Sequence, residues 1–332
     1  MIAAEELVPR HSQLTSSNMK PTSISRRDAI ALGTAAALAT WASPASAADD
    51  KTPWIDAHSH IWTPDTASFP LVAGLTKSDL KPASFTDDEL MAVARPEGVG
   101  RVVLIQHSVY HLWDNRYILD AIRRHPKVFR GVGMIDDTKP GAGDEMKRLL
   151  PLGVTGFRIT PFVRKENPAA WLDSEGMREM WATGGKTKQA MCCLINPSEL
   201  PGVEAMCERY PETPVVIDHF ARIGADGEVR DADVAKLCAL AKRKQVTVKI
   251  SAFYALGKKK APYLDLAPMI KRLFEAFGAE RLMWASDSPY QLQGGHEYGP
   301  SIALLRDKLD FVSAANKEWL LRKTAEKVYY FA

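Results

Sequence analysis

The sequence predicts an α/β protein, a (β/α)8 barrel of the TIM type, as a single domain that follows an N-terminal signal peptide. Eight short apolar runs alternate with amphipathic stretches from Trp54 onward, which indicates a parallel sheet with helices between its strands. Eight such runs favour closure into a barrel over an open sheet. No Gly-x-Gly-x-x-Gly pattern follows the first run, which argues against a dinucleotide-binding fold. The length of 332 residues suits one such barrel.

The predicted elements follow this alternation along the chain. The strands are predicted at 54–57, 101–106, 129–135, 154–159, 190–195, 214–218, 246–251 and 281–285. The helices are predicted at 115–125, 144–150, 174–181, 198–210, 231–244 and 265–277. Polar residues able to cap helix N-termini stand at Asp144, Ser174, Ser198 and Asp231. The long segment 62–100 is predicted to hold a loop and a helix over the barrel mouth.

The first 47 residues carry the pattern of a targeting signal. Arg26 and Arg27 precede an apolar stretch that ends in Ala45-Ser46-Ala47, a small-x-small cleavage pattern. The paired arginines predict export to the periplasm by the twin-arginine route. The apolar stretch also contains Gly, Ser, Thr and Pro, so a stable membrane insertion is not expected. We expect a leader and signal peptide at 1–47, with Met19 as a second candidate start, and the barrel domain at 48–332.

Composition limits the class of partner. The 43 basic and 40 acidic residues nearly balance, and no charged tail is present, so nucleic acid is not an expected partner. The four cysteines show no disulfide framework and are predicted to be free, mostly buried thiols. Self-association into a homo-oligomer stays open at this point.

Polar residues stand where several predicted strands end. In a barrel of this kind the C-terminal strand ends meet at one site. The first strand ends in Asp56-Ala57-His58-Ser59-His60, and residues two apart on a strand face the same side, so both histidines are expected at that site. The sixth strand ends at His219, and the last strand leads to Asp287, which could accept a proton from water.

This set of residues resembles the amidohydrolase superfamily. More narrowly, the stretches 56–62, 156–158, 216–222 and 286–289 resemble its lactonase group, which holds fuconolactonase-like, pyrone-dicarboxylate lactonase-like and sulfomuconolactone hydrolase-like enzymes. The resemblance implies lactone hydrolysis by water that Asp287 activates, with His58, His60 and His219 as the other catalytic residues. It also implies one divalent metal, zinc in first place, bound by His58, His60 and Asp287, with His219 or water completing the shell.

Two positions depart from the pattern of the superfamily. The fifth strand ends in Leu194-Ile195-Asn196-Pro197, where many members have a histidine. The fourth strand ends at Arg158, where members with two metals have a lysine or a carboxylate. We therefore do not expect a two-metal site, and a hydrolase that works without metal stays an alternative.

Basic residues near the strand ends point to an anionic substrate. Arg158, Arg222 and Lys249 are the candidates, because a guanidinium matches the planar geometry of a carboxylate or sulfonate. Arg222 matches the arginine that contacts the substrate in the pyrone lactonase pattern. The expected substrate is a small carboxylated or sulfonated lactone, such as 4-sulfomuconolactone or a pyrone dicarboxylate. The alternative for Arg158 and Lys249 is an ion pair in the barrel interior.

Two other functions remain to be compared with lactone hydrolysis. The first is a zinc-dependent decarboxylase of an unsaturated or aromatic acid, against which the missing strand-five histidine argues. The second is an exported ligand-binding protein without catalysis, against which the presence of Asp287 argues. His107, His111, Tyr290 and His296 also lie near strand ends and receive less weight, because loop residues of these types are common without a function.

Overall fold

The computed structural model describes residues 52–163 and 170–331, in which eight parallel strands lie in sequence order. The strands are β1 (Trp54–Ser59), β2 (Val99–Ile105), β3 (Phe129–Gly133), β4 (Val154–Ile159), β5 (Ala190–Cys193), β6 (Val215–Ile217), β7 (Val246–Ile250) and β8 (Leu282–Trp284). Every predicted strand overlaps one of these, so the barrel prediction is confirmed. Residues 1–47, the predicted leader and signal peptide, lie outside the described residues.

The barrel closes where the first and last strands meet. The backbone N–H of Asp287 donates to the carbonyl oxygen of His58 at 2.8 Å, and the N–H of His60 donates to the carbonyl of Ser288 at 2.7 Å. Ser59 and Ser288 form a parallel bridge at the same point. The hydrogen bonds that close the barrel are therefore made by the segments that carry the predicted catalytic residues.

Helices follow the strands as the alternation predicts. They are α1 (Asp87–Ala94), α2 (Ser108–His111), α3 (Arg116–Arg124), α4 (Ala142–Leu149), α5 (Glu175–Thr187), α6 (Leu200–Arg209), α7 (Asp231–Ala239), α8 (Ala267–Phe277), α9 (Tyr298–Ala303), α10 (Ala314–Glu318) and α11 (Thr324–Tyr329). Helix α1 is the one predicted within 62–100. The three helices after β8 were not predicted.

The predicted helix caps are correct in one case. The Ser174 hydroxyl accepts the N–H of Met177 and caps α5. Asp144 lies in the first turn of α4, whose N-cap is Gly141, and Asp231 is the first residue of α7. A single-turn 3-10 helix precedes α6 and is capped by Asn196 instead of Ser198. Acidic residues are favoured throughout a first turn by the helix dipole, so their position alone does not fix the cap.

Apolar side chains fill both the barrel and the layer outside it. The inner cluster, which Ala325 and Tyr329 of α11 also join, consists of Ile55, Ala57, Val103, Ile105, Val132, Ala190, Cys192, Val216, Met283 and Ala285. A larger cluster packs the helices against the strands, with the fully buried Phe157 and Trp181 among its members. All four cysteines are free, as expected. Within the described ranges, no helix combines the length and apolarity that a membrane span requires.

Candidate active site

Asp287 is the centre of the site. Its carboxylate oxygen Oδ1 lies 3.5 Å from Nε2 of both His58 and His60, and Oδ2 lies 3.8 Å from Nε2 of His219. All four side chains are at most 5% exposed. The structure thus brings together the four residues that the sequence singled out as catalytic.

Unusual backbone conformations place two of these residues. His219 begins a run of left-handed residues after β6 that continues through Arg222, with φ of 50° and 58° at its two ends. Asp287 is also left-handed, with φ of 63°. This conformation costs a residue other than glycine about 1–2 kcal/mol. Strain of this kind is characteristic of functional sites, where the surrounding structure holds it in place.

A buried ion-pair cluster lies beneath His58. The Lys249 ammonium lies 3.1 Å from Oδ1 of Asp218, and the Arg158 guanidinium lies 3.5 Å from Oδ2. Burial alone would raise the pKa of Asp218, but Lys249, His58 and Arg158 outweigh it and hold that pKa well below its usual range. For Lys249, which is fully buried, the structure shows the interior ion pair that was the alternative to substrate binding.

Both ring nitrogens of His58 face a cationic donor. The Arg158 guanidinium can only donate, and its Nη2 lies 2.8 Å from Nε2 of His58, which accepts this hydrogen bond. Nδ1 lies 3.2 Å from the Lys249 ammonium and 3.6 Å from Oδ1 of Asp218. Sequence reasoning did not single out Asp218, although it stands directly before His219 in the motif. Its role as the anion of this cluster depends on His58, Arg158 and Lys249, which the fold brings to it from β1, β4 and β7.

Asp56 connects the segments that follow β1 and β8, where the barrel closes. Its carboxylate accepts the backbone N–H of His58 at 3.1 Å and that of Ser286 at 2.9 Å. The hydroxyls of Ser59 and Tyr298 also donate to it, both at 2.8 Å. A fully buried carboxylate with this many donors orients the segments that carry His58 and Asp287. This positioning role was also not predicted.

Aromatic side chains form one side of the site. We call Trp62, His107, Tyr110, Tyr254 and Tyr290 the aromatic wall; neighbouring ring centroids lie 4.3–6.4 Å apart. The Tyr254 hydroxyl donates to Oδ2 of Asp287 at 2.8 Å. The Tyr290 hydroxyl lies 2.6 Å from Nε2 of His107. Tyr254 was missed because it follows β7 in a segment without a motif.

Arg222 is half-buried and lies at the neighbouring strand ends. Its Nη1 donates to the side-chain oxygen of Asn196 at 3.0 Å, and its guanidinium lies 4.9 Å above the ring of Phe162. Asn196 belongs to the stretch 194–197 after β5, which lacks the histidine that the resemblance to the superfamily implies there. A residue of this stretch therefore orients the arginine predicted to bind the substrate.

Burial and neighbouring groups shift the pKa values of the three histidines and of Asp287 in a direction that suits proton transfer. Burial lowers the pKa of His219 to about 4, and it also lowers the pKa values of His58 and His60. The pKa of Asp287 lies below its usual range because His219, His60 and His58 together outweigh the effect of burial. At neutral pH the site therefore holds neutral histidines around a carboxylate.

The donor atoms fit a single metal ion. Nδ1 of His60 donates to the carbonyl of Ile105 at 3.0 Å, so its Nε2 lone pair faces Asp287, as does the Nε2 lone pair of His58. Lone pairs facing a carboxylate oxygen are favourable only with a proton donor or a cation between them. Ligand atoms of His58, His219 and Asp287 all lie within 4.8 Å of one another. Imidazole nitrogen and carboxylate oxygen are ligands that zinc prefers.

A comparison with known protein families places this site in context. The family profile described as amidohydrolase matches residues 55–331, which span the barrel from β1 to the C-terminal helix. The chain belongs to the amidohydrolase family. Its histidines and aspartate therefore stand in the fold in which that family builds its active site, and this amidohydrolase is a hydrolase.

Relatives and solved structures place the chain in the lactonase group of the family. It is 28% identical to an L-fucono-1,5-lactonase of Burkholderia ambifaria, over 75% of this chain and 85% of the relative. It is 27% identical to a 4-sulfomuconolactone hydrolase of Rhizobium radiobacter, over 74% of this chain and 79% of the relative. A putative 2-pyrone-4,6-dicarboxylic acid hydrolase from Pseudomonas putida superimposes with a TM-score of 0.70 at 25% identity, covering 84% and 98% of the two chains.

Proposed function

We propose that this amidohydrolase hydrolyses an anionic lactone that carries a carboxylate or sulfonate away from the ester bond. Candidates are a muconolactone such as 4-sulfomuconolactone, and a pyrone dicarboxylate, as in the breakdown of aromatic compounds. The observation that carries the proposal is the buried carboxylate of Asp287 within 3.8 Å of Nε2 of three histidines, with Arg158 at 2.8 Å from one of them. The names of the relatives support the lactone, and the arginines support its negative charge.

Asp287 is the proposed general base. Its Oδ2 is held by the Tyr254 hydroxyl at 2.8 Å, so Oδ1 is the oxygen that faces His58 and His60. A water at Oδ1 gives a proton to the carboxylate as its oxygen bonds to the lactone carbonyl carbon. The π electrons of the carbonyl move to its oxygen. His219 or Arg158 then stabilises this oxyanion in a buried site, where a fixed charge or hydrogen bond is most effective.

Ring opening completes the reaction. The oxyanion re-forms the carbonyl, the bond between the carbonyl carbon and the ring oxygen breaks, and Asp287 returns its proton to the leaving oxygen. The product is a hydroxy acid, or the keto acid that its enol gives. Arg222, with Arg158, is proposed to hold the remote anionic group through paired N–H donors.

One zinc ion is proposed as the cofactor, held by Asp287 together with His58, His60 and His219; the ligand atoms of His58, His219 and Asp287 already lie within 4.8 Å of one another. Zinc, when bound, lowers the pKa of water and polarises a carbonyl oxygen. Zinc binding requires that the Arg158 guanidinium move away from Nε2 of His58, and Asp218 at 3.5 Å offers that guanidinium another partner.

We also propose that residues 1–47 direct export by the twin-arginine route.

The test is a set of lactones offered to the purified protein with and without a metal chelator. The expected result is ring opening of 4-sulfomuconolactone or 2-pyrone-4,6-dicarboxylate with kcat/KM at least tenfold above that for uncharged L-fucono-1,5-lactone. Faster opening of the uncharged lactone would contradict the anionic substrate. Carbon dioxide release from unsaturated acids without ring opening would favour a decarboxylase, and tight binding without turnover would favour a carrier. Loss of activity on chelation, with recovery on adding zinc, is the expected outcome for the metal.

A further inference from the structure

Tyr290 belongs to the aromatic wall, and the mechanism above does not use it. It follows Asp287 by three positions and is half-buried. Its ring lies 5.8 Å from that of His60 and 6.4 Å from that of Tyr254, nearly parallel to the latter. Both of these neighbours reach the carboxylate of Asp287. Tyr290 therefore stands beside the base and not at the rim of the barrel.

The direction of its hydrogen bond follows from its partner, His107. The backbone N–H of Tyr110 donates to Nδ1 of His107 at 3.2 Å, and an amide N–H can only donate. Nδ1 therefore holds the lone pair, and the proton of the ring is on Nε2. His107 donates this proton to the Tyr290 oxygen across 2.6 Å, so the hydroxyl of Tyr290 is the acceptor in this bond.

The hydroxyl proton of Tyr290 is consequently available. Among the described residues, His107 is the hydrogen-bond partner of this hydroxyl, and no acceptor for its proton is present. Tyr254 differs, because its proton is committed to Oδ2 of Asp287. Burial, together with the nearby Tyr110 and Asp287, raises the pKa of Tyr290, so its proton is retained at neutral pH. A phenol that accepts one hydrogen bond also becomes a stronger donor in the next.

We propose that the Tyr290 hydroxyl donates a hydrogen bond to the carbonyl oxygen of the bound lactone and stabilises the oxyanion, with His107 as the residue that positions it. The inference rests on the proposed lactone hydrolysis and adds a neutral donor to the charged groups already named. The proton stays on Tyr290 throughout; the hydrogen bond shortens as charge develops on the oxygen and lengthens when the carbonyl re-forms. No bond to the substrate is made or broken by the tyrosine.

The test compares Tyr290→Phe with Tyr330→Phe. Both remove one tyrosine hydroxyl, but Tyr330 lies outside the aromatic wall, and its hydroxyl donates to the backbone carbonyls of Val102 and Val128. We expect kcat of Tyr290→Phe to fall about 100-fold or more, the usual effect of removing one oxyanion donor, with KM changed less than threefold. The kcat of Tyr330→Phe should stay within about twofold of wild type.

A second pair of variants tests the positioning role of His107. His107→Gln keeps a side-chain N–H donor for Tyr290, whereas His107→Leu does not. We expect kcat to fall at least tenfold in His107→Leu and to be partly restored in His107→Gln, at similar melting temperatures. Wild-type kcat in folded Tyr290→Phe or His107→Leu would overturn the proposal while leaving lactone hydrolysis standing. Absence of lactone turnover by the wild-type enzyme would instead contradict the proposed function.

Discussion

The guanidinium of Arg158 donates a hydrogen bond to Nε2 of His58 across 2.8 Å. The lone pair that it uses is the one that a metal ion would need. The Arg158 guanidinium and a metal ion from solution therefore compete for Nε2 of His58. The resemblance to the superfamily implies a lysine or a carboxylate at this strand end in members with two metals, whereas this chain has an arginine there.

Replacing Arg158 should strengthen zinc binding. Arg158→Met removes a positive charge whose nearest nitrogen lies 2.8 Å from a ligand atom, and the repulsion between two unit charges about 4 Å apart is worth about 4 kcal/mol in a partly screened site. We expect the Kd for zinc to fall at least tenfold, measured by competition with a chromogenic chelator. Arg222→Met, which removes an arginine that pairs with Asn196 and not with His58, is the control and should leave the Kd unchanged. Equal or weaker binding by Arg158→Met would show that Arg158 does not compete for His58.

The ion pair of Lys249 and Asp218 should matter more for stability than for substrate binding. Both side chains are fully buried, and removal of one partner leaves the other charge uncompensated. Lys249→Met is expected to lower the free energy of unfolding by about 3–5 kcal/mol, measured by urea denaturation. The double variant Lys249→Met/Asp218→Asn should lose less than the sum of the two single losses. Additive losses would mean that the two charges do not interact.

Acid should destabilise the metal-free protein within a defined range of pH. The pKa of His219 is about 4 in the folded chain, below the ordinary value of 6.5, so between these values the unfolded chain binds a proton that the folded chain does not. The free energy of unfolding therefore falls as pH falls from about 6.5 to 4. His219 alone accounts for about 3 kcal/mol once the pH is below 4.

Urea denaturation at pH 7, 6 and 5 with a chelator present tests this prediction. The loss between pH 7 and pH 5 should be smaller in His219→Asn, which lacks one such histidine. A wild-type stability that stays constant or rises on acidification would contradict the assignment of neutral, buried histidines.

The barrel could be predicted from the sequence because the information is local. Each strand is a short apolar run, and an amphipathic stretch typical of a helix lies between one run and the next. The order and the number of strands and helices can therefore be predicted directly. The prediction was less good at boundaries: β6 ends at Ile217, before Asp218, and the left-handed turn that follows has no signal in the residue types. The helices after β8 were also missed, because no further strand-like run separates them from one another.

The site was predictable only where residues stand at strand ends. His58, His60, His219 and Asp287 were found because parallel strands bring their ends together. Asp218 and Asp56 were missed, because their roles depend on partners that are distant in the sequence: Arg158 is 60 residues from Asp218, and Ser286 is 230 residues from Asp56. The same is true of Tyr254, which reaches Asp287 from a loop.

Arg222 should determine the preference for charged lactones. Its guanidinium is oriented by Asn196 and Phe162 and is proposed to bind the remote anionic group. Loss of a hydrogen bond to a charged group costs about 1.5–3 kcal/mol, so Arg222→Met should raise KM for the anionic lactone roughly 10- to 100-fold. The kinetic constants for an uncharged lactone should change by less than threefold. An equal effect on both substrates would show that Arg222 acts on the structure of the site.

The most direct test of the account is the rate of ring opening of the best anionic lactone by Asp287→Asn. This variant keeps the shape of the side chain and removes the proton acceptor, so kcat should fall about 1000-fold, within the range expected for loss of a general base. Asp144→Asn on the exposed face of α4 is the matched control and should be as active as wild type. A folded Asp287→Asn enzyme that keeps more than a tenth of wild-type kcat would contradict the central role of Asp287.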